Sequence, residues 1–511
     1  MYQIKFGTDG WRGIIAAEFN VDNVKRVAQG TAEYLKQNHA DNLSIVLGHD
    51  CRFAGELFAE TVAQIMCANG IKVKLAKGFV STPMISLGAV KHSAALGVII
   101  TASHNPPAYS GYKLKAHYGG PSSPAVIDAV EAAIPNHLVE TALTPIDELV
   151  KSGMVTYVDL ETLYIDEVKA SFDLAAIKNS GMKFGYDAMY GAGQNVMKAL
   201  FPEAFLLHCE YNPSFYGQAP EPIHKNLAEF SAAIKQRGDI DCGLVTDGDA
   251  DRIGLYNKKG EFVDSHHIIL LLVHYLHKYK GMSGKVITTF SATSKITALA
   301  KAYGLDIEIT KIGFKYICEK MVTENVLVGG EESGGIAIKG FIPERDGIWI
   351  GLTLWEFMAK TGKSLDDLIK EVYEVVGSFA MGRIDLHITE EIKQNVLANC
   401  KAGKYTTFGN YTIEKVEDLD GFKFHLKNND VSHSESSANI GVSHSEASAN
   451  NGVLHSEASA NIGVSHSEAS AKEWVMIRAS GTEPVLRVYS ESSTQDKAEA
   501  ILQACKNTIL A

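Results

Sequence analysis

Leu96-Gly97-Val98-Ile99-Ile100-Thr101-Ala102-Ser103-His104-Asn105-Pro106-Pro107 is the stretch on which the reading of this chain turns. Five residues of strand type stop abruptly and deliver a hydroxyl, an imidazole and an amide in consecutive positions. Two prolines then bar both helix and ladder. The residue before a proline is driven out of the α region, and proline itself has no N–H. Ser103 is therefore expected on a stiff turn at the carboxyl end of a buried strand, where open α/β sheets bind ligands. An ordinary Asx-rich turn would look the same in isolation. The flanking sequence decides between the two.

Upstream of this strand the spacing predicts a helix over 21–35, a strand over 43–47, a helix over 54–69, a strand over 71–75 and a short helix opened by Thr82-Pro83. The same grammar returns twice. Strands are expected at 183–186, 204–208 and 242–246, separated by helices at 194–200 and 227–236. A third set places strands at 286–289, 306–309 and 325–328 around helices at 293–303 and 314–321. Strands alternating with helices predict mostly parallel sheets covered on both faces. In each set the last apolar strand runs into a loop dense with functional groups: 101–107, 247–252 and 329–335.

Beyond Glu371 the pattern changes to antiparallel strands at 383–388, 411–416, 421–426, 474–477 and 485–490 and a closing helix at 494–509, an α+β domain. Between its strands an 11-residue repeat runs from 431 to 471, one histidine per copy (His433, His444, His455, His466). Ser, Asn and Gly in each copy oppose a stable helix, leaving a low-complexity insert or a stacked β-turn structure. The histidines have no second ligand type at metal spacing. The expected divisions are 1–147, 148–260, 261–372 and 373–511.

At 511 residues the chain exceeds a single core, and its net charge of −12 argues against generic binding to nucleic acid or anionic membrane. Seven scattered cysteines without a CxxC pair read as reduced thiols. The first residues lack the apolar core of a signal peptide, and the longest apolar run, 268–273, falls far short of a membrane span. A cytoplasmic protein is expected.

Asp247-Gly248-Asp249-Ala250-Asp251-Arg252 sets three carboxylates at alternate positions, a donor set suited to Mg²⁺. It is no EF-hand, since Arg252 stands where glycine is needed and Lys258 where the closing Glu belongs. A solvated acidic turn is the competing reading. Gly329-Gly330-Glu331-Glu332-Ser333-Gly334-Gly335 offers carboxylates and a hydroxyl for a polyhydroxylated ligand. Arg478-Ala479-Ser480-Gly481-Thr482-Glu483-Pro484 combines a guanidinium, hydroxyls and a glycine turn, a phosphate cradle. Near the start, Phe6-Gly7-Thr8-Asp9-Gly10-Trp11-Arg12-Gly13 reads as a structural turn or a weaker anion site. The only Gly-Lys-Ser, at 362–364, has Phe357 in place of the first P-loop glycine. A serine, a divalent-cation site and anion cradles without a nucleotide motif point to phosphoryl transfer between a serine and a phosphorylated small molecule.

Taken together, Thr101-to-Pro106, Asp247-to-Arg252, Gly330-to-Gly334 and Arg478-to-Pro484 stand in the order found in the α-D-phosphohexomutase family, the phosphoglucomutases and phosphomannomutases, which this chain resembles over nearly its full length. The resemblance implies three related α/β domains with mixed sheets between helices, plus a C-terminal α+β domain like the TATA-binding protein, around a central cleft that rotation of the fourth domain closes. It implies a phosphorylated Ser103, with Asp247, Asp249, Asp251 and the Ser103 phosphate holding one Mg²⁺. Glu331 and Ser333 would bind sugar hydroxyls; Arg478, Ser480, Gly481 and Thr482 would grip the non-reacting phosphate, with Lys315 a further phosphate contact. Arg12, Arg252 and Lys113 match positions near the phosphoserine, with Lys113 or His104 as acid/base. A basic role for Lys113 requires a lowered pKa.

The implied reaction interconverts hexose 1-phosphate and hexose 6-phosphate through a bound 1,6-bisphosphate that also serves as activator. Glu332 before Ser333, with Gly313-Phe314-Lys315, looks more like glucose-phosphate members than glucosamine-phosphate members, which usually carry Gln there. A mannose or dual-specificity mutase, a Mg²⁺-dependent sugar phosphatase and a non-catalytic sugar-phosphate-binding protein are the alternatives. Hexose phosphates are the expected partners, and the chain is expected to be a monomer or homodimer.

Overall fold

The computed structural model describes residues 1–7, 9–428, 473–479 and 485–511; the 431–471 repeat lies outside the described residues. The chain forms two compact units, residues 1–375 and 376–511.

Three sheets organise the first unit. The first contains β1 (Trp11–Ile14), β2 (Ser44–His49), β3 (Lys72–Ala76), β4 (Leu96–Ile100), β5 (Tyr109–Ala116) and β6 (Val155–Val158), in the order β1-β5-β4-β2-β3-β6. The second contains β7 (Phe184–Asp187), β8 (Phe205–Leu207), β9 (Cys242–Thr246), β10 (Ile253–Asn257) and β11 (Phe262–Val263), in the order β11-β10-β9-β7-β8. The third contains β12 (Lys285–Thr289), β13 (Ile307–Thr310), β14 (Val326–Gly330) and β15 (Ile336–Ile338), in the order β13-β12-β14-β15.

All three share one plan. A parallel set (β4-β2-β3, β9-β7-β8, β14-β12-β13) carries a strand buried along its whole length, β4, β9 or β14. Each of these turns through its functional loop into an antiparallel partner, β5, β10 or β15. The sheets are therefore mixed, as the resemblance implies, where strand–helix alternation by itself predicts mostly parallel ones. The returning strands escape an apolar pattern because of what they carry. In β5, Tyr112 and Leu114 alternate with Lys113 and Lys115, and all four are buried. Such a strand looks solvent-facing in sequence, yet its lysines are covered by acidic groups. The 6–13 stretch, read as a structural turn or a weaker anion site, contains the start of β1, paired with β5 through Arg12↔Gly111. The first sheet also runs past residue 147, because β6 adds parallel to β3 with Val73 opposite Val155.

Residues 376–511 form an antiparallel sheet of β16 (Ala380–His387), β17 (Thr407–Phe408), β18 (Tyr411–Glu417), β19 (Phe422–Asn428), β20 (Trp474–Ala479) and β21 (Val485–Ser492), ordered β16-β21-β20-β19-β18-β17. Its core joins Phe424, Val475, Ile477, Leu486 and Val488 of the sheet to Val396 of helix Glu390–Lys401 and Ile501 and Leu502 of helix Gln495–Ile509. Val475, Ile477, Leu486 and Val488 share this core face, and Trp474 and Met476, which point to the other face, are buried as well. Among the described residues no helix is long and apolar enough to cross a membrane.

Candidate active site

Ser103 sits in the turn between β4 and β5, buried, with φ of +52°. Its N–H donates to Thr101 Oγ1 (2.9 Å), and Asn105 N–H closes the turn onto Ala102 O (3.0 Å). The Ser103 hydroxyl donates to Asp247 Oδ2 at 2.6 Å, and His104 Nδ1 lies 3.3 Å from the same hydroxyl oxygen. The loops after β4 and β9 thus meet at the carboxyl ends of their strands.

Asp247, Asp249 and Asp251 are fully buried, and one carboxylate oxygen from each lies within 4.8 Å of the others. Asp247 Oδ1 accepts from the N–H groups of Asp251 (3.0 Å) and Arg252 (3.1 Å), which curls the loop around it. Ala250 takes φ of +57°, and its carbonyl accepts from Gly347 N–H at 2.9 Å. Glycine at 248 is a packing requirement, since a Cβ there would stand 2.6 Å from the Ser103 carbonyl oxygen.

Burial and the neighbouring Asp249 and Asp251 charges push the Asp247 carboxyl well above its ordinary pKa. Burial also acts on Asp249, but Lys113 and the Thr82 hydroxyl outweigh it and hold that carboxyl below its usual range. Asp249 Oδ1 and Asp251 Oδ1 are buried with no hydrogen-bond partner among the described residues. Buried carboxylate oxygens facing no donor are the chemistry a hard divalent cation satisfies, so the residues present fit Mg²⁺.

Cations ring the trio. Lys113 Nζ contacts Asp9 (2.9 Å), Asp249 (2.9 Å) and Asp251 (3.3 Å). Arg345 bridges Asp9 (2.5 Å) and Asp251 (2.7 Å), and Lys115 pairs with buried Glu344 at 2.8 Å. Burial would lower the Lys113 pKa, but the three carboxylates reverse the effect and raise it. The lowered value required of a basic Lys113 is thus not what these neighbours produce. His104 moves the other way: burial, with Arg252, Arg12 and Lys113 nearby, holds it well below the usual imidazole value and neutral. Arg12 donates to Asn105 Oδ1 at 2.7 Å, so the β1 arginine reaches the serine loop.

The loop after β14 joins this assembly, with Ile253 N–H donating to Gly334 O at 3.1 Å. Glu331 is buried, accepts from Gly313 N–H (3.0 Å), and burial pushes its pKa up to about 7. Ser333 is half-buried in the same turn. Lys315 lies over the Tyr316 ring, 5.3 Å from its centroid. In the second unit, Arg478 at the end of β20 approaches Asp420 (3.5 Å) beside a cavity of about 430 Å³. Ser480, Gly481 and Thr482 lie outside the described residues.

Several contacts could not be read from the motifs, even where the residue itself lay in a quoted stretch. Thr82 donates to Asp249 Oδ2 at 2.6 Å from the first turn of helix Thr82–Lys91. Asp9 and Arg345 are 336 residues apart in the chain. Arg52 follows β2 directly, and a charged pair (Asp50, Arg52) at the carboxyl end of a buried strand was the available signal.

The fold and these loops agree with comparisons to known proteins. Models of the phosphoglucomutase/phosphomannomutase domains match in order: α/β/α domain I at 3–138, II at 162–260, III at 264–376 and the C-terminal domain at 460–507. A phosphoglucomutase of Staphylococcus haemolyticus is 30% identical over 406 residues, covering 74% of this chain and 73% of the relative. A phosphoglucosamine mutase of Caldicellulosiruptor bescii is 29% identical, covering 71% and 80%. A solved structure from Thermus thermophilus, named for a phosphomannomutase, superposes with a TM-score of 0.81 at 29% identity over 100% of both chains. The chain belongs to the phosphoglucomutase/phosphomannomutase family of phosphohexomutases, enzymes that move a phosphoryl group within one sugar.

Proposed function

We propose that the enzyme interconverts glucose 1-phosphate and glucose 6-phosphate through a phosphoserine at 103, with glucose 1,6-bisphosphate as bound intermediate and activator. The observation that carries this reading is the 2.6 Å approach of the Ser103 hydroxyl to Asp247, inside a buried carboxylate trio. No other described serine has that setting. Asp247, Asp249 and Asp251 would hold Mg²⁺ with the Ser103 phosphate. Held there, the cation would supply charge neutralisation at the transferring phosphoryl oxygens.

The protein supplies position and charge. Arg12 and Arg252 flank the serine loop as cations for the phosphoryl oxygens. His104, neutral and 3.3 Å from Ser103 Oγ, is the group best placed to exchange the reacting proton, while Lys113 acts as a fixed cation. Phospho-Ser103 donates to one end of the sugar phosphate. The bisphosphate turns over, and its other phosphate returns to the serine. Glu331 and Ser333 would hold hydroxyls in both orientations. Arg478, Ser480, Gly481 and Thr482 would grip the phosphate that is not reacting, and Lys315 would be a further phosphate contact.

Preference for glucose rests on Glu332 where the glucosamine-type loop carries glutamine. Turnover of glucose, mannose and glucosamine 1-phosphates with catalytic bisphosphate, wild type against Ser103→Ala, tests the whole reading. Intact mass should show one phosphate on the wild type and none on the variant. Release of inorganic phosphate in place of isomer would make the protein a phosphatase, and faster turnover of mannose 1-phosphate would overturn the sugar assignment.

A further inference from the structure

The serine turn carries two prolines, so it has few N–H groups with which to satisfy its own carbonyls. One buried side chain makes up the deficit. Arg52 Nη2 donates to the carbonyl oxygens of Ser103 (2.6 Å) and Asn105 (2.7 Å), and Nη1 to those of Pro106 (2.9 Å) and Tyr109 (3.0 Å). Its Nε pairs with Asp50 at 3.3 Å. Asp50 in turn accepts from Thr101 Oγ1 (2.5 Å), and that hydroxyl oxygen accepts from Ser103 N–H (2.9 Å). Phe215 covers the guanidinium from the second sheet's side, 5.1 Å away. The brace thus grips both the N–H and the C=O of Ser103.

Left-handed backbone at a residue with a β-carbon is strained and persists only where the surroundings over-determine it. The brace provides that over-determination. Arg52 makes none of its hydrogen bonds to the Ser103 hydroxyl or to the aspartate trio; they reach backbone oxygens and Asp50.

We propose that Arg52, seconded by Asp50 and Thr101, is a positioning residue for phosphoryl transfer, holding Ser103 in the one turn from which its oxygen meets Asp247. The proposal rests on Ser103 as the phosphoryl carrier. It separates two roles a buried arginine can have. A residue that only stabilises the fold lowers the amount of folded protein and leaves turnover per folded molecule alone. One that positions the serine lowers kcat, spares KM and exposes the phosphoserine to water.

Lysine, a point charge without the planar fork, cannot serve four carbonyls at once. Arg52→Lys and Thr101→Val are compared with wild type for kcat, KM for glucose 1-phosphate, folded fraction by circular dichroism, and lifetime of the Ser103 phosphate by intact mass after substrate removal. Misplacement of the nucleophile by an ångström predicts a fall in kcat of about 10²-fold for Arg52→Lys. KM should stay within about threefold, with a clearly shortened phosphoserine lifetime. Thr101→Val should move the same readouts in the same direction by about tenfold. Turnover per folded molecule and phosphate lifetime within twofold of wild type would overturn the proposal. If Arg52→Lys fails to fold, Thr101→Val decides by the same criteria. Activity retained by Ser103→Ala would instead overturn the phosphoserine reading itself, whatever the Arg52 variant does.

Discussion

Ser103 and Asp247, 144 residues apart in sequence, are joined by a 2.6 Å hydrogen bond in which the hydroxyl donates to the carboxylate. The bond ties the strand-end loop of the first sheet to that of the second. It also gives Asp247 a donor at a place where burial and two neighbouring acids oppose its charge. The proposed nucleophile and the proposed metal ligand are in this way coupled through one proton.

Asp247→Asn should therefore trade stability against function. Losing a proposed metal ligand and a charged acceptor at the serine should cut kcat by about 10²- to 10⁴-fold. The folded-state pKa of Asp247 is raised, so in the metal-free protein its ionisation destabilises the fold as pH rises above the unfolded value. Metal-free Asp247→Asn should melt a few degrees above wild type at pH 8 and level with it at pH 3. Melting in EDTA at both pH values checks this, and a lower melting point for the variant at pH 8 would refute it.

Lys113 meets three carboxylates within 3.3 Å while itself buried. Removing one member of a buried ion cluster leaves uncompensated charge and costs about 3–5 kcal/mol. Lys113→Met should be destabilised by that order in EDTA and recover much of the loss in Mg²⁺, because a bound divalent cation replaces the missing charge. Denaturant midpoints with and without Mg²⁺ measure both effects. Equal midpoints for variant and wild type in EDTA would show that the cluster does not depend on this lysine.

What the sequence made legible divides along physical lines. β4, β9 and β14 are buried on both faces, so an apolar run bounded by a polar loop marked each one. Their loops were legible because carboxylates, hydroxyls and glycines rarely gather after such strands without a reason. The strand bearing Lys113 and Lys115 was not, because its polar face is buried against acids supplied by residues 9, 249, 251 and 344. Arg52 left only the Asp50-Arg52 charge pair as a trace, because its other side-chain partners are backbone oxygens that carry no sequence pattern. Local period reveals an apolar face; it says nothing of pairings hundreds of residues apart.

Gly248→Ala tests the closeness of the serine loop and the aspartate loop. The added methyl would stand 2.6 Å from Ser103 O and 3.0 Å from Pro220 Cγ, and the first contact is with backbone, which no rotamer change relieves. The loops must separate, at a cost of about 1–3 kcal/mol in stability and about 10²-fold in kcat. Turnover within twofold of wild type would mean that the two loops tolerate a wider gap than the structure shows.

Glu331 predicts a pH dependence that runs against the usual carboxylate. Burial raises its pKa from 4.5 to about 7, so the folded state favours the protonated form. Below pH 4 the acid is protonated folded or unfolded and has no effect. As pH rises from about 4.5 to 7 the unfolded chain ionises first, and stability falls, by linkage on the order of 3 kcal/mol in total. Asp346, also raised to about 7 by burial, adds a second loss in the same window. Glu331→Gln removes the first contribution and leaves the second. Wild type should lose stability between pH 5 and 8, and the variant should lose less, by about 2–3 kcal/mol, while binding sugar phosphate more weakly. Urea midpoints at pH 5, 6, 7 and 8 give the two slopes. Identical slopes would mean that Glu331 ionises in the folded protein as readily as in the unfolded chain, with Arg345 and Arg252 compensating its burial.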